Sequence, residues 1–239
     1  MDSNVKTLIF DLDGTLCKST KQISTEMYQV LDSLADRFDL WIVTGTTYER
    51  LCKQVPQALL SKMMGAYTCL GTSYYNSAGN KVHSHDAVFS TSLLYSLREV
   101  FDECNYPLKE KGITERNAMI NFSVISRDSS DERRQMFADW DRDNHFREYV
   151  VGTLSKQFPE YNFAAGGMVS IDITVKGFDK AKVLENDQIK TDILFFGDKC
   201  DTSGNDRPLA QAIVDRGIGS YHAVSSPEDT LNILKKIRG

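Results

Sequence analysis

Lys6–Thr15 reads KTLIFDLDGT. Val5 to Phe10 predicts a buried strand, and it runs straight into two carboxylates, Asp11 and Asp13, and then a glycine. A buried strand has no use for charge at its exit unless a ligand there needs it. That ligand is expected to be a cation, a phosphate or both. Within a strand, carboxylates at i and i+2 share a face. At a turn after the strand they can divide the work. One faces a cation and an incoming phosphorus atom, and the other faces the oxygen that attacks or leaves.

Working outward, LWIVTG (Leu40 to Gly45) is a second apolar run and ends in Thr44. DILFFGD (Asp192 to Asp198) is a third and ends in Asp198, and GSYHAV (Gly219 to Val224) is a weaker strand. Helical spacing links them: Ile23 to Phe38 with Ser24 as N-cap, then TTYERLCKQV, then Pro208 to Arg216, then Pro227 to Ile237. Strands alternating with helices predict an α/β fold, a doubly wound parallel sheet with right-handed crossovers. Ligands of such sheets sit beyond the C-terminal strand ends, where Asp11, Asp13, Thr44 and Asp198 would converge.

The middle of the chain has another pattern. AMINFSVIS (Ala118 to Ser126) and MVSIDITV (Met168 to Val175) alternate apolar and polar residues, as half-exposed strands do. Leu93 to Phe101 and Glu132 to Leu154 read as helices. Residues 84–182 are therefore expected to form an α+β unit inserted into an α/β domain made of residues 1–83 and 183–239.

The bulk properties of the 239 residues narrow the function classes. A composition of 41% hydrophobic and 26% charged residues is that of a globular domain. The net charge of -5 offers no general attraction to nucleic acid or an anionic membrane, so neither is expected as a partner. The five cysteines are scattered with no CxxC pair, and MDSNVKTLIF is unlike a signal peptide, so a reducing, cytoplasmic setting is expected. His83, His85, His145 and His222 have no metal-ligand spacing, and His83 and His85 are expected at the surface near the domain joint.

DLDGT is not an EF-hand loop. Counted from Asp11, Thr15, Leu16 and Gln22 stand where that loop needs an oxygen ligand, a glycine and a glutamate. Taken alone the stretch would pass for an Asp-capped turn. Its company decides. Mg²⁺ takes hard oxygen ligands and keeps several waters, so a few carboxylates and a phosphate suffice. Asp198 and Asp206 in GDKCDTSGND add negative charge to Asp11 and Asp13, a set suited to phosphoryl transfer with one nucleophile and one general acid/base.

The order Asp-x-Asp-Gly-Thr, a strand ending in Thr44, Lys180 and GDKCDTSGND resembles the haloacid dehalogenase-like superfamily from Val5 to the C-terminus. The resemblance implies a parallel-sheet core with an inserted cap. It makes Asp11 the nucleophile that forms an aspartyl phosphate, Asp13 the general acid/base, and Thr44 and Lys180 the binders of the phosphoryl group. It implies Mg²⁺ held by Asp11, the backbone carbonyl of Asp13 and Asp198. ERNAMINFSVISRDSSDERR and GGMVSIDITVKGFDK are similar to the cap of eukaryotic-type phosphomannomutases. By that resemblance Arg116, Arg127, Arg134, Ser170 and Asp172 bind substrate, a hexose 1,6-bisphosphate is the activator, and a homodimer forms through the cap. Arginine forks suit a second phosphate; the plainer reading of Arg127, Asp131 and Arg134 is a solvated ion-paired surface.

The chain departs from that family in places. Thr20, within CKSTKQ, stands where relatives carry an arginine, which leaves Lys18 or Lys21 as the substitute cation. The second loop is TGTT rather than Gly-Gly-Ser, and RPLAQAI does not match the relatives' second metal stretch. The expected function is interconversion of mannose 1-phosphate and mannose 6-phosphate. A sugar-phosphate phosphatase is the alternative that the missing arginine favours, and a binding protein without turnover is the third.

Overall fold

A computed structural model describes residues 5–110, 112–126, 129–189, 192–201 and 203–238. Arg127 lies outside the described residues. The first half of the chain forms β1 (Thr7–Phe10), α1 (Thr25–Leu34), β2 (Asp39–Val43), α2 (Tyr48–Gln54), α3 (Gln57–Leu60), β3 (Gly65–Thr68), β4 (Ser73–Asn76), β5 (Lys81–Ser84) and α4 (Thr91–Glu103). Next come β6 (Ile113–Arg116), β7 (Met119–Ser123), α5 (Asp131–Asn144), α6 (Phe146–Gln157), β8 (Tyr161–Gly166) and β9 (Ser170–Val175). A 3₁₀ turn at Lys180–Glu185 leads to β10 (Ile193–Gly197), α7 (Arg207–Asp215), β11 (Gly219–Ala223) and α8 (Pro227–Arg238).

Among the described residues these strands build two sheets. One runs β11-β10-β1-β2-β3-β4-β5, parallel from β11 to β3 and antiparallel beyond. Its two faces explain the continuous apolar runs. Leu8, Phe10 and Ile42 pack with α1, α2 and α8, whereas Ile9, Trp41, Val43 and Phe195 pack with α7 and the 3₁₀ turn. A strand covered on both sides has no polar face to show. Truncating Phe10, which is fully buried, would cost about 3–5 kcal/mol. β1 sits between β2 and β10, so the chain leaves it in both directions across the sheet. That reversal opens a crevice at the C-terminal end of β1, where Asp11 begins.

Ser24 caps α1 as expected, its hydroxyl accepting the Met27 N–H at 3.1 Å, and the helix is shorter at both ends than the Ile23–Phe38 span. Residues 65–84, for which the sequence reading names no element, extend the sheet by one parallel strand and two antiparallel ones. His83, expected at the surface, lies against Tyr67 and Tyr74 with ring centroids 5.9 and 5.6 Å away. Its Nε2 is buried.

The second sheet is antiparallel, in the order β6-β7-β9-β8. Ile120, Phe122, Ile171 and Ile173 pack under α4, α5 and α6. The opposite face carries Asn121, Ser123 and Asp172. Such alternation predicts half-exposed strands, but all three polar side chains are buried, because this face lies over the crevice of the other sheet instead of facing water. The helix expected over Glu132–Leu154 is two helices. His145 adopts φ 53°, in the left-handed region, and ends α5. The Asp141 carboxylate then accepts the Arg147 N–H at 2.8 Å, which restarts the chain as α6.

Candidate active site

Asp11 continues the β1 ladder, its N–H donating to the Phe196 carbonyl at 2.9 Å, and its carboxylate is buried. Thr15 Oγ1 donates to Oδ2 at 3.3 Å and Lys180 Nζ to Oδ1 at 2.6 Å. Lys180 comes from the 3₁₀ turn, is 1% exposed, and donates a second bond of 2.7 Å to Asp206 Oδ1. Asp206 is anchored in turn by the Lys199 N–H on Oδ2 at 2.9 Å. The turn after Asp11 needs a glycine: Gly14 has φ 95°, and a Cβ there would lie 2.6 Å from Asp198 Oδ2. Glycine alone lets Asp198 approach the loop that carries the first two carboxylates.

Carboxylate oxygens of Asp11, Asp198 and Asp206 lie within 4.8 Å of one another. Burial and the nearby Asp206 push Asp198 up to about 6. Burial also pushes Asp11 up, with Lys180 pulling it back. Burial alone would lower Lys180, but Asp11 and Asp206 hold it well above the ordinary lysine value. One ammonium thus faces three desolvated carboxylates. This hard-oxygen set, still short of positive charge, fits a cation such as Mg²⁺. Asp13 does not join the cluster through its side chain. Its Oδ1 accepts the Thr20 N–H at 2.7 Å and Gln54 Nε2 at 2.8 Å, and Thr20 has φ 67°, a strained conformation for a β-branched residue. Thr44 follows β2 beside this loop, its Oγ1 accepting the Thr46 N–H at 3.1 Å.

The antiparallel sheet supplies the roof of a cleft in which Asp11, Asp13, Thr44 and Asp198 meet Arg116, Arg134, Ser170 and Asp172. Arg116 Nη1 donates to the Gly45 carbonyl at 3.1 Å, and burial pushes its guanidinium below the usual value. Arg134 is 4% exposed and donates to Ser19 Oγ at 2.7 Å. Asp172 is 5% exposed; Asn121 Nδ2 donates to its Oδ1 at 2.7 Å and Asn205 Nδ2 to its Oδ2 at 3.0 Å. Ser170 Oγ donates to the Gly166 carbonyl at 3.0 Å. Ala165 of β8 and Gly204, in the loop between β10 and α7, also form a parallel bridge, so the roof is tied to that loop by backbone as well as side chains.

Not every expected residue is in the cleft. Lys21 sits in the neighbouring groove, in a 2.9 Å pair with Asp131 in which both side chains are more than half exposed. Such a pair contributes little. Lys18 lines that groove as well, so among the described residues no lysine lines the cleft beside Thr20. Lys180 lies behind Asp11 and does not line the cavity. The sequence reading assigns no role to Gln54, Asn121 or Asn205; Asn121 lies within ERNAMINFSVIS and Asn205 within GND, whereas no motif points to Gln54.

Comparison with known proteins agrees with this geometry. The family described as eukaryotic phosphomannomutase matches residues 27–238. A phosphomannomutase of Saccharomyces cerevisiae is 31% identical, covering 96% of this chain and 93% of its own. A probable phosphomannomutase of Caenorhabditis elegans is 32% identical, covering 96% of each. Among solved structures, the C-terminal domain of a trehalose-6-phosphate phosphatase from C. albicans superposes with a TM-score of 0.67 at 14% identity, covering 100% of this chain and 93% of that one. A haloacid dehalogenase-like hydrolase from Bacteroides thetaiotaomicron gives 0.58 at 15% identity, covering 98% and 100%. At these identities the two structures speak for the fold.

Proposed function

The chain belongs to the eukaryotic phosphomannomutase family, and from that premise we propose that it is a Mg²⁺-dependent phosphohexomutase interconverting mannose 1-phosphate and mannose 6-phosphate. The observation that carries the reading is a single cleft with Asp11 and the carboxylate cluster at its floor and Arg116 and Arg134 in its roof. A bisphosphorylated hexose needs both ends.

In this reading Asp11 takes a phosphoryl group from a hexose 1,6-bisphosphate and passes it to the free hydroxyl of the bound monophosphate. The bisphosphate then turns over and returns its other phosphate. Asp13 takes and gives the hydroxyl proton. Thr44 Oγ1 already accepts a hydrogen bond, which leaves its O–H to donate to a phosphoryl oxygen. Lys180 neutralises Asp11 and fixes its direction. Asp11, Asp198 and the Asp13 carbonyl would hold Mg²⁺, with Asp206 close by, and the bound ion would neutralise charge on the phosphoryl oxygens. Arg116, Arg134, Ser170 and Asp172 take the far half of the sugar phosphate, together with Arg127. Lys21 enters as a rim cation that must leave Asp131 to reach a phosphate. Closure of the roof over the bound sugar keeps water from the aspartyl phosphate.

The reading includes residues 84–182 as the cap over a core of 1–83 and 183–239, a homodimer through that cap, and a cytoplasmic setting. Among the described residues no helix is long and apolar enough to cross a membrane. A phosphatase on the same scaffold is the second reading, supported by Thr20 at the position of the relatives' arginine and by a cleft that no lysine lines among the described residues. The test is labelling with a phosphorus-labelled glucose 1,6-bisphosphate. The account expects acid-stable, base-labile label in wild type and none in Asp11→Asn; label retained in the variant would refute it.

A further inference from the structure

Gln54 closes α2 and is 4% exposed. It holds the catalytic loop at two points: its backbone carbonyl accepts the Ile23 N–H at 2.9 Å, and Nε2 donates to Asp13 Oδ1 at 2.8 Å. Nε2 also lies 3.4 Å from Cys17 Sγ, whose thiol donates to the Leu12 carbonyl. The amide can sit only one way round, since its oxygen in that place would face a carboxylate oxygen. Burying a primary amide costs free energy unless it is bonded, and an apolar side chain beside Leu51 and Val55 would pack without that cost. A local role for the amide therefore has to be found, and Asp13 is what it touches.

The Thr20 N–H, at 2.7 Å, falls on the same oxygen. Among the described residues, both side-chain hydrogen bonds of Asp13 fall on Oδ1. Two N–H donors aimed at one oxygen exclude a proton from it, because a hydroxyl there would set donor against donor. With the proton on Oδ2, Oδ1 becomes a carbonyl oxygen and still accepts both bonds. Neither donor is orphaned in either state, so the carboxyl can cycle without rearranging its support.

We propose that Gln54 is a positioning residue for proton transfer: with the Thr20 N–H it saturates Asp13 Oδ1, so that Oδ2 alone exchanges the proton with the sugar. The inference rests on the reading of Asp13 as the acid/base. In the forward step the sugar hydroxyl oxygen bonds to phosphorus, the bond from phosphorus to the Asp11 oxygen breaks, and the hydroxyl proton passes to Asp13 Oδ2. In the reverse step Oδ2 returns that proton to the leaving sugar oxygen as phosphorus bonds to Asp11.

The test compares two phosphoryl donors on the full chain with Mg²⁺. Glucose 1,6-bisphosphate has a leaving oxygen that needs a proton; p-nitrophenyl phosphate leaves without one. Gln54→Met keeps the length of the side chain and removes the donor, and Gln54→Glu keeps the shape and replaces the donor with an acceptor. For both, the first-turnover rate of Asp11 phosphorylation by the sugar ester is expected to fall about 30- to 100-fold, with KM and first-turnover p-nitrophenolate release each changing less than about 3-fold. Equal losses with the two donors would mean a purely structural role and overturn the inference, as would an unchanged rate with the sugar ester. A wild-type chain that accepts a phosphoryl group from neither donor overturns the reading of Asp13 and the inference with it; an active wild type with equal losses in the variants overturns the inference alone.

Discussion

Lys180 Nζ lies 2.6 Å from Asp11 Oδ1 and 2.7 Å from Asp206 Oδ1, and all three side chains are buried. One ammonium thus ties the exit of β1 to the start of α7. Lys180→Met would leave two buried carboxylates without their cation, and removing one partner of a buried pair costs about 3–5 kcal/mol. The metal-free variant is expected to melt well below wild type by calorimetry. Asp11→Asn removes a charge from a crowded cluster, so its metal-free Tm is expected to equal or exceed that of wild type while turnover disappears. A Lys180→Met protein of wild-type stability would contradict this account of the cluster.

The cluster also sets a pH and metal dependence. Asp198 is raised by burial and by Asp206 to about 6, above its ordinary value of 3.8. The folded state holds this proton more tightly than the unfolded chain does, so the associated stability is present at low pH and is lost as pH rises from about 4 through about 6. A divalent cation relieves the same repulsion by competing with the proton. At about 100 times its dissociation constant, Mg²⁺ is expected to add about 2.7 kcal/mol, or a rise in Tm on the order of 5–10 °C, at pH 7.5. At pH 5 the same Mg²⁺ concentration should raise Tm much less. Thermal scans with and without Mg²⁺ at the two pH values check this; an equal gain at both would contradict it.

Gly14 is required by the approach of Asp198. Gly14→Ala combines a φ of 95° with a Cβ 2.6 Å from Asp198 Oδ2. The strain is on the order of 1–3 kcal/mol, and part of it is relieved by moving Asp198 away from Asp11. The half-saturating Mg²⁺ concentration for activity is expected to rise at least about tenfold, the equivalent of about 1.4 kcal/mol. An unchanged Mg²⁺ requirement would contradict the placement of Asp198 in the metal site.

Asn121, in the same sheet, and Asn205, in the loop between β10 and α7, grip the two oxygens of Asp172. Losing a hydrogen bond to a buried carboxylate costs about 1–3 kcal/mol. Asn205→Ala removes the bond that crosses the cleft, so it should loosen closure and raise the share of inorganic phosphate released per isomer formed. Asn121→Ala removes a bond within the antiparallel sheet and should change that share less. A product-ratio assay on the two variants decides it, and equal shares would contradict a closing role for Asn205.

The elements that read clearly were those whose physics is local. Apart from Thr7 and Asp39 at their starts, β1, β2 and β10 carry no polar side chain because helices cover both faces, and each runs into a polar residue because the crevice lies there. Asp11, Thr44 and Asp198 could be placed from that pattern alone. What did not read was decided by distant parts of the chain. The four-residue strands of residues 65–84 are too short to show a period. Asn121 and Asp172 alternate with apolar neighbours as solvent-facing residues do, and only the other sheet makes that face an interior. His145 breaks a helix through its backbone conformation, which a helical apolar spacing does not register. Gln54 looks like the polar side of a surface helix until Asp13 is brought to it by the turn at Gly14. Lys21 had the charge for a phosphate but finds Asp131 at the rim.

The central claim is mutase chemistry at Asp11 with both phosphates held in one cleft. Phosphorus NMR on mannose 1-phosphate with the protein, Mg²⁺ and a trace of glucose 1,6-bisphosphate tests it most directly. The account predicts a mannose 6-phosphate signal that depends on the bisphosphate, with little inorganic phosphate. Inorganic phosphate growing in without mannose 6-phosphate would contradict it and leave the phosphatase reading in its place.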